Sequence, residues 1–237
     1  MQAKYMIAGV ILSVSYKHLY TEKLFENYIY NGDLPCDEVV EITKSDIEYE
    51  LSLHPDQPEF YLENLAILRK IMDVLVVKYN AMLFHGSSIL YNGKAYVFTA
   101  PSGTGKSTHT RLLKELLGDG VEYINDDKPI IRVVDNKVYV YGSPWNGKHH
   151  LGGNVVAPLK AICLVNRGDV NSIERVSPSK ALTVLFEQSM GFSNVETAES
   201  VLDVLTEIVN KATFYKLYCN VSVDAAKCSF EGMMYED

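Results

Sequence analysis

A glycine-rich segment, VFTAPSGTGKSTHTRLL at 97–113, carries the residues with the clearest chemistry in the sequence. It follows the phosphate-loop pattern G-x-x-x-x-G-K-[ST] except at its first position, where Ala100 stands in place of glycine. A phosphate cradle needs successive backbone N–H groups at the start of a helix, and glycines where a side chain would obstruct the approach. Gly103 and Gly105 meet that need, whereas the first position only makes the turn. The segment therefore predicts a nucleotide-phosphate site, and the alternative is a glycine-rich turn that opens a helix by chance.

The residue types within this loop predict how a nucleotide would be held. Lys106 would reach the β and γ phosphates as a point charge, and the Ser107 hydroxyl would complete the shell of a Mg²⁺ ion. The predicted cofactors are accordingly ATP and Mg²⁺. The residues predicted to contact the nucleotide are Ser102, Gly103, Thr104, Gly105, Lys106, Ser107 and Thr108.

A pair of adjacent carboxylates, Asp126 and Asp127 in YINDDKP, follows a short apolar run. One carboxylate can bind Mg²⁺ while the other accepts a proton from a hydroxyl nucleophile. Successive side chains of a strand point to opposite faces, so both acids serve one site only if the backbone turns there. Asn125 and Pro129 favour such a turn. The alternative interpretation of N-D-D-K is a solvated surface turn.

Two further segments carry side chains suited to the same chemistry. His85, in LFHGSS, lies 21 residues before Lys106 and one predicted hairpin away from it. The segment YGSPWNGKHHLGGN at 141–154 contains Lys148, which could stabilise charge on a moving phosphoryl group. Trp145, the only tryptophan, either anchors this segment to the core or walls a substrate pocket. His149 and His150 are either solvent-facing or functional, and the sequence leaves this open.

Local patterns predict the elements that must position these residues. Asn92-Gly93 predicts a hairpin that leads into the loop, and Leu112, Leu113, Leu116 and Leu117 predict one apolar side of the helix after it, ending at Gly118. Apolar spacings of three and four predict another helix over 59–79 that ends near Asn80. The remaining predictions are a buried strand at 4–16, helices at Pro178–Met190 and about Glu196–Ala212, and a last strand at 214–219.

Together these elements predict an α/β fold with a mixed sheet. Residues 1–80 are expected to form N-terminal strands and a helix that pack on the core, and residues 81–237 a phosphate-loop nucleotide-binding domain.

Composition excludes several classes of function. The net charge of −8 and the scarcity of clustered Lys and Arg argue against a nucleic-acid partner. No apolar run approaches the roughly 20 residues that a membrane span needs, and no A-x-A site follows the apolar run at 5–14. The four cysteines form no C-x-x-C pair, so a disulfide framework or a zinc site has little support. A cytoplasmic protein without a membrane partner is therefore expected.

The ordered motifs resemble a known family. HGSSILYNGKAYVFTAPSGTGKS followed by NDD is similar to the catalytic domain of bacterial HPr kinase/phosphorylase, whose loop is related to that of the phosphoenolpyruvate carboxykinases. The likeness covers about 83–166 and is strongest over 85–127. It implies that Asp126 is the base toward a serine hydroxyl, that Asp127 lies on the metal side, and that His85 orients the Asp126 region. The E-x-R-G-x-G signature of those enzymes is absent, and 141–154 takes its place, as in a shorter, uncharacterised branch of the family.

The resulting expectation is an ATP-dependent kinase that moves the γ-phosphoryl group of MgATP to a serine or other hydroxyl of a peptide, protein or small molecule. Asp126, His85, Lys106 and Lys148 are the predicted catalytic residues, with Ser107 and Asp127 on the metal. The resemblance also implies a homo-oligomer, because HPr enzymes are hexamers. Two alternatives stay open at this point: a nucleotide-gated binding module without transfer, and phosphoenolpyruvate carboxykinase-like chemistry on a small acid.

Overall fold

The computed structural model describes residues 1–190 and 194–234. In it, segments with alternating apolar residues form strands, and segments with apolar residues spaced three and four apart form helices. The strands are β1 (Gln2–Ile7), β2 (Val10–Ser15), β3 (Glu38–Val40), β4 (Ala81–Phe84), β5 (Ser87–Tyr91), β6 (Lys94–Thr99), β7 (Val121–Asn125), β8 (Ile130–Val134), β9 (Lys137–Tyr141), β10 (Val156–Arg167), β11 (Ser172–Val176), β12 (Ser189–Met190) and β13 (Thr213–Cys219). The α-helices are α1 (Leu19–Leu24), α2 (Lys44–Leu53), α3 (Glu59–Tyr79), α4 (Lys106–Leu117), α5 (Pro178–Gln188), α6 (Val195–Lys211) and α7 (Val223–Ser229).

The main sheet is mixed, which confirms the α/β prediction. Its strand order is β12-β4-β8-β9-β10-β6-β5-β7, and β13 pairs with both β10 and β11. The long strand β10 is antiparallel to β9 at its start and parallel to β6 and β13 further on. It therefore joins the two parts of the sheet.

Strand direction brings several loops to one edge of this sheet. Because β5 is antiparallel to both β6 and β7, these two strands run the same way, and β10 and β13 run parallel to β6. The C-terminal ends of all four strands therefore meet at one edge, together with the start of β5. Ligands of open α/β sheets bind at this kind of edge.

Helix α4 packs its apolar side across β5, β6 and β7 and against α7. Leu113 is fully buried, and Leu112, Leu116 and Leu117 pack around the same cluster. Gly118 has a φ of 58°, a left-handed value that favours glycine, and it ends the helix as predicted.

The N-terminal residues form a second, three-stranded sheet of β1, β2 and β3, against which α3 packs. The single buried strand predicted for 4–16 is wrong, because Ala8 (φ 52°) and Gly9 (φ 75°) make a tight turn and Ile7 pairs with Val10. Five of the six residues of β2 are buried, and the end of β1 is apolar at Tyr5, Met6 and Ile7, so the residues on both sides of the turn read as one continuous apolar run. The hydrophobic cluster around them also includes Ile130 and Trp145.

Most of the other predicted boundaries agree with the structure. Helix α3 ends at Tyr79, before Asn80 in left-handed conformation, and the β5–β6 hairpin turns on Asn92 and Gly93 with positive φ angles. Helix α5 ends at Gln188 rather than at 190, because the next two residues pair with β4 as β12. Among the described residues, no helix combines the length and apolar character needed to span a bilayer.

Candidate functional site

The glycine loop between β6 and α4 forms a backbone cradle. Gly103 and Gly105 have φ angles of 75° and 123°, and a Cβ atom on either would meet nothing within 4 Å. Glycine is therefore required there by backbone conformation rather than by lack of space. Among the described residues, the first backbone hydrogen bond at the start of α4 runs from His109 N–H to the Gly105 carbonyl (2.9 Å), and no side chain caps the helix. The N–H groups at 106–108 are thus available to an anion.

Ala100 and Lys106 explain why the loop tolerates alanine at its first position. Ala100 is buried and is not among the described non-glycine residues with positive φ. Its carbonyl accepts a hydrogen bond from Lys106 Nζ at 2.9 Å. Burial lowers the pKa of Lys106, and the nearby Asp127 opposes that shift. The ammonium group is held inside the loop by a backbone carbonyl, which a phosphate could replace.

The acid pair lies in a turn that Asn125 builds. This side chain is fully buried, and its Oδ1 accepts hydrogen bonds from the N–H groups of Asp127 (2.8 Å) and Lys128 (2.6 Å). The turn ends β7 and removes the strand alternation, so both carboxylates face the same cavity. The predicted turn at Asn125 is thus present, and it meets the condition for a shared site.

Asp126 is only 2% exposed and lies close to the glycine loop. Its Oδ1 accepts a hydrogen bond from the Gly147 N–H at 2.7 Å, and its backbone carbonyl accepts one from Ser107 Oγ at 3.1 Å. Burial raises the pKa of Asp126, while the Gly147 N–H and other backbone donors oppose the rise. A Cβ on Gly147 would lie 3.0 Å from Asp126 Oδ2, so glycine allows this close approach.

Asp127 has a different environment, with a side chain 27% exposed. It forms an ion pair with Lys128, and His85 Nε2 lies 3.7 Å from its Oδ1. The structure thus places His85 beside Asp127, whereas the family resemblance implied an orienting role toward Asp126. The other ring nitrogen of His85, Nδ1, is 2.7 Å from Gln188 Oε1. Burial and the charge of Lys106 lower the pKa of His85, and Gln188 and Asp127 oppose this effect.

One cavity of about 830 Å³ joins the cradle to the acid pair. It brings together every predicted site residue except Thr104, which lines a neighbouring cavity instead. Sequence reasoning missed Leu151 as a lining residue and left His149 open, whereas Gly147 lines the cavity as its place in the glycine-rich segment at 141–154 indicates. Arg111 is exposed and lines the same cavity. Gln188 was also missed; it lies 103 residues from His85 along the chain, and no local signal connects the two.

The segment at 141–154 passes over Asp126, to which its Gly147 N–H donates, and it is anchored by Trp145. Trp145 Nε1 donates to Asn64 Oδ1 at 3.2 Å, and its ring meets Phe25 edge to face with centroids 5.5 Å apart. These contacts support the anchoring interpretation over a substrate wall. Lys148 is exposed and lines the cavity. His149 and His150 are exposed as well, and of the two only His149 is among the residues that line the cavity.

The oxygen atoms of Ser107 and Asp127 fit a magnesium ion by type. Mg²⁺ prefers hard oxygen ligands and keeps several waters, so it needs only one or two protein groups besides substrate phosphates. Within residues 1–190 and 194–234, no group of three or more His, Cys, Asp or Glu is arranged to hold a metal. An ion here would therefore depend on phosphate oxygens for much of its coordination.

Fold and site together define an α/β chain in which a phosphate-loop sequence and an acid pair share one sheet edge. No family model matches the chain, and no curated protein matches its sequence. Among solved structures, it is similar to the Hpr(Ser) kinase/phosphatase from Coxiella burnetii, with a TM-score of 0.30 and 9% identity over 40% of this chain and 71% of that chain. The similarity is weak and partial, and it establishes neither the family nor the activity.

Proposed function

We propose that this chain is an ATP-dependent phosphotransferase whose acceptor is a hydroxyl group, with a phosphate-loop domain of the HPr kinase and phosphoenolpyruvate carboxykinase type. The observation that supports it most is the shared cavity, in which the loop N–H groups, Lys106 and both aspartates face the same space. A surface turn at Asn125 would not bury Asp126 against the loop, and a chance glycine turn would not have an acid pair beside it.

Nucleotide binding follows from the cradle. The free N–H groups at the start of α4 and the ammonium group of Lys106 would hold the β and γ phosphates. Lys106 would exchange its bond to the Ala100 carbonyl for a phosphate oxygen, a better partner because it is charged. Ser107 and Asp127 would hold Mg²⁺, which supplies neutralising charge to the phosphates when bound.

Transfer then needs a base, and Asp126 is the best placed of the two acids. Its burial raises its pKa and makes it a stronger proton acceptor than an exposed carboxylate. The acceptor hydroxyl would give its proton to Asp126 while its oxygen forms a bond to the γ-phosphorus. The bond from that phosphorus to the bridging oxygen breaks, and ADP leaves with the electron pair. Lys148, exposed at the rim, would stabilise charge on the moving group.

The experiment is a transfer assay with γ-labelled MgATP, serine-containing peptides and small hydroxyl compounds. We expect labelled acceptor with the wild-type chain and none with Asp126→Asn, which should still bind nucleotide. Asp119→Asn, a fully exposed acid at the far end of α4, is the matched control and should transfer normally. Equal rates for wild type and Asp126→Asn would remove Asp126 from the proposed role. Nucleotide binding without transfer to any acceptor would favour the regulatory module instead.

A further inference from the structure

Gln188, the last residue of α5, reaches the candidate site from an element that carries none of its motifs. Its side chain is 8% exposed, and its Oε1 lies 2.7 Å from Nδ1 of His85. Its backbone carbonyl also accepts a hydrogen bond from the His85 N–H at 2.8 Å. One residue of α5 therefore contacts both the main chain and the ring of His85, which lies between β4 and β5.

The main chain around His85 is held on its other sides as well. The hydroxyl of Thr99, which is fully buried, donates to the His85 carbonyl at 2.8 Å. The next N–H along the chain, that of Gly86, donates to the Asp127 carbonyl at 3.0 Å. These bonds fix where the ring lies relative to Asp127. The property of the ring that they leave open is which of its two nitrogens carries the proton.

The amide oxygen of Gln188 determines that property. An amide oxygen only accepts hydrogen bonds, so it requires a proton on the nitrogen that it contacts, which here is Nδ1. A neutral imidazole carries one proton, so Nε2 then presents a lone pair. Nε2 is the nitrogen that faces Asp127, and His85 lines the large cavity. His85 therefore offers the site an acceptor rather than a donor.

Two acceptor atoms consequently face each other beside the acid pair. Oδ2 of Asp127 already pairs with the ammonium group of Lys128, whereas Oδ1 lies 3.7 Å from His85 Nε2. This distance is too long for a direct hydrogen bond, and a polar contact of this length indicates a donor between the two groups. A water molecule of a magnesium ion at Asp127 would be such a donor, because Mg²⁺ keeps several of its waters when it binds to proteins.

We propose that Gln188 is a positioning residue that fixes the proton of His85 on Nδ1, so that Nε2 accepts a hydrogen bond from a water molecule of the magnesium ion. The role toward the ion rests on the proposed function, whereas the position of the proton is a property of the chain alone. Gln188 acts only through His85 and contacts no reacting group. Sequence reasoning assigned no role to this glutamine.

The first measurement is the position of the proton in the chain without nucleotide or metal. Long-range ¹H–¹⁵N correlation spectra of histidine-labelled protein report it at pH about 8, where an ordinary imidazole is neutral. The signals of His85 are those that disappear in His85→Gln. We expect the proton on Nδ1 in the wild-type chain and Nδ1 still protonated in Gln188→Glu, whose carboxylate accepts the same bond. In Gln188→Met, which lacks the acceptor, a substantial fraction of the proton should move to Nε2.

Ser189→Ala is the matched control for this measurement. The Ser189 hydroxyl donates to the Phe186 carbonyl at 2.7 Å, so its removal weakens the same end of α5 without changing the acceptor for His85. The His85 signals should therefore stay as in wild type. A wild-type proton on Nε2, or an unchanged spectrum in Gln188→Met, would overturn the proposal. An equal change in Ser189→Ala would overturn it too, because the helix end rather than the amide oxygen would then determine the result.

The second measurement is how much Mg²⁺ strengthens nucleotide binding. Titration calorimetry with a non-hydrolysable ATP analogue gives its Kd with Mg²⁺ and with a chelator, and the ratio of the two values is the gain due to the ion. Loss of one hydrogen bond to a water of the ion should reduce this gain about fivefold in Gln188→Met. In Ser189→Ala the gain should stay within about twofold of wild type.

The two measurements separate this proposal from the proposed function. If the proton lies on Nδ1 but the gain from Mg²⁺ is the same in Gln188→Met and wild type, the role toward the ion is wrong. If the wild-type chain binds no nucleotide, the proposed function is wrong and the role toward the ion is wrong with it. The spectra still decide in that case whether Gln188 sets the proton position of His85.

Discussion

Asn125 offers the most direct test of how the acid pair is held in place. Its Oδ1 accepts from the N–H groups of Asp127 and Lys128, and its Nδ2 donates to the carbonyl of Ser143 at 3.1 Å and to Ser143 Oγ at 3.2 Å. One fully buried amide therefore connects the turn of the acid pair to the beginning of the segment at 141–154. Asn125→Ala removes all of these bonds at once.

The expected cost follows from the groups left without partners. Two backbone N–H groups and the Ser143 carbonyl each lose a bond, at about 1 kcal/mol per group, so the free energy of unfolding should fall by about 3 kcal/mol. For a chain of this size, that loss lowers Tm by about 6–12 °C. With Asp126 in the proposed role of base, transfer activity should fall at least about 100-fold, because displacement of a catalytic group by about 1 Å costs that much.

Urea unfolding followed by the fluorescence of Trp145 measures the stability, and the transfer assay measures the activity. The control is Asn166→Ala, whose side chain donates one bond to the Leu164 carbonyl and should cost about 1 kcal/mol or less. If the free energy of unfolding of Asn125→Ala lies within about 0.5 kcal/mol of the wild-type value, the calculation is wrong. Full activity in a destabilised Asn125→Ala variant would show that the turn does not position the acids.

Three more predictions come from buried polar groups. Burial lowers the pKa of His109 to about 4, so only the unfolded chain takes up a proton at this side chain as pH falls from about 6.5 to about 4. The free energy of unfolding should therefore decrease by up to about 3 kcal/mol between these pH values. In urea unfolding at a series of pH values, His109→Gln should make the free energy of unfolding less dependent on pH. The raised pKa of Asp126 predicts that, on acidification, the transfer rate declines at a higher pH than it would with an exposed aspartate as the base. A transfer rate that does not change with pH would contradict its proposed role as the base. Trp145→Phe should lower the free energy of unfolding by about 1–2 kcal/mol in chemical denaturation, because Asn64 Oδ1 stays buried without its donor. An unchanged denaturation midpoint would contradict the anchoring role of Trp145.

The parts of the fold that the sequence predicts correctly are those decided by neighbours along the chain. The Asn92-Gly93 hairpin depends on two residues that adopt positive φ, and the strand, loop and helix around Lys106 depend on local periodicity and glycine placement. The hairpin at Ala8-Gly9 was missed because the residues on both sides of the turn are apolar and β2 is buried on both faces, so no change of pattern marks where the chain reverses.

Contacts that depend on strand order could not be predicted in the same way. The hydrogen bond from Gly147 to Asp126 and the contact of Gln188 with His85 exist because β7, β9 and β4 take particular places in the sheet. Sequence reasoning found candidate residues just before β5, in the loop after β6, in the turn after β7 and in the segment after β9, but none at the ends of β10 and β13. The sequence could not show that His85 lies beside Asp127 rather than Asp126, because the two acids are adjacent in one turn.

The contrast between the two aspartates is the strongest physical reason to assign them different roles. Neighbouring carboxylates divide acid–base and metal-binding work when their environments differ. Asp126 is buried, receives a backbone N–H from Gly147 and has a raised pKa, which suits a group that must take a proton. Asp127 is partly exposed and already pairs with the cation of Lys128, which suits a group that must keep its charge beside another cation. The turn at Asn125 creates both environments within two residues, and the proposed division of roles rests on this difference.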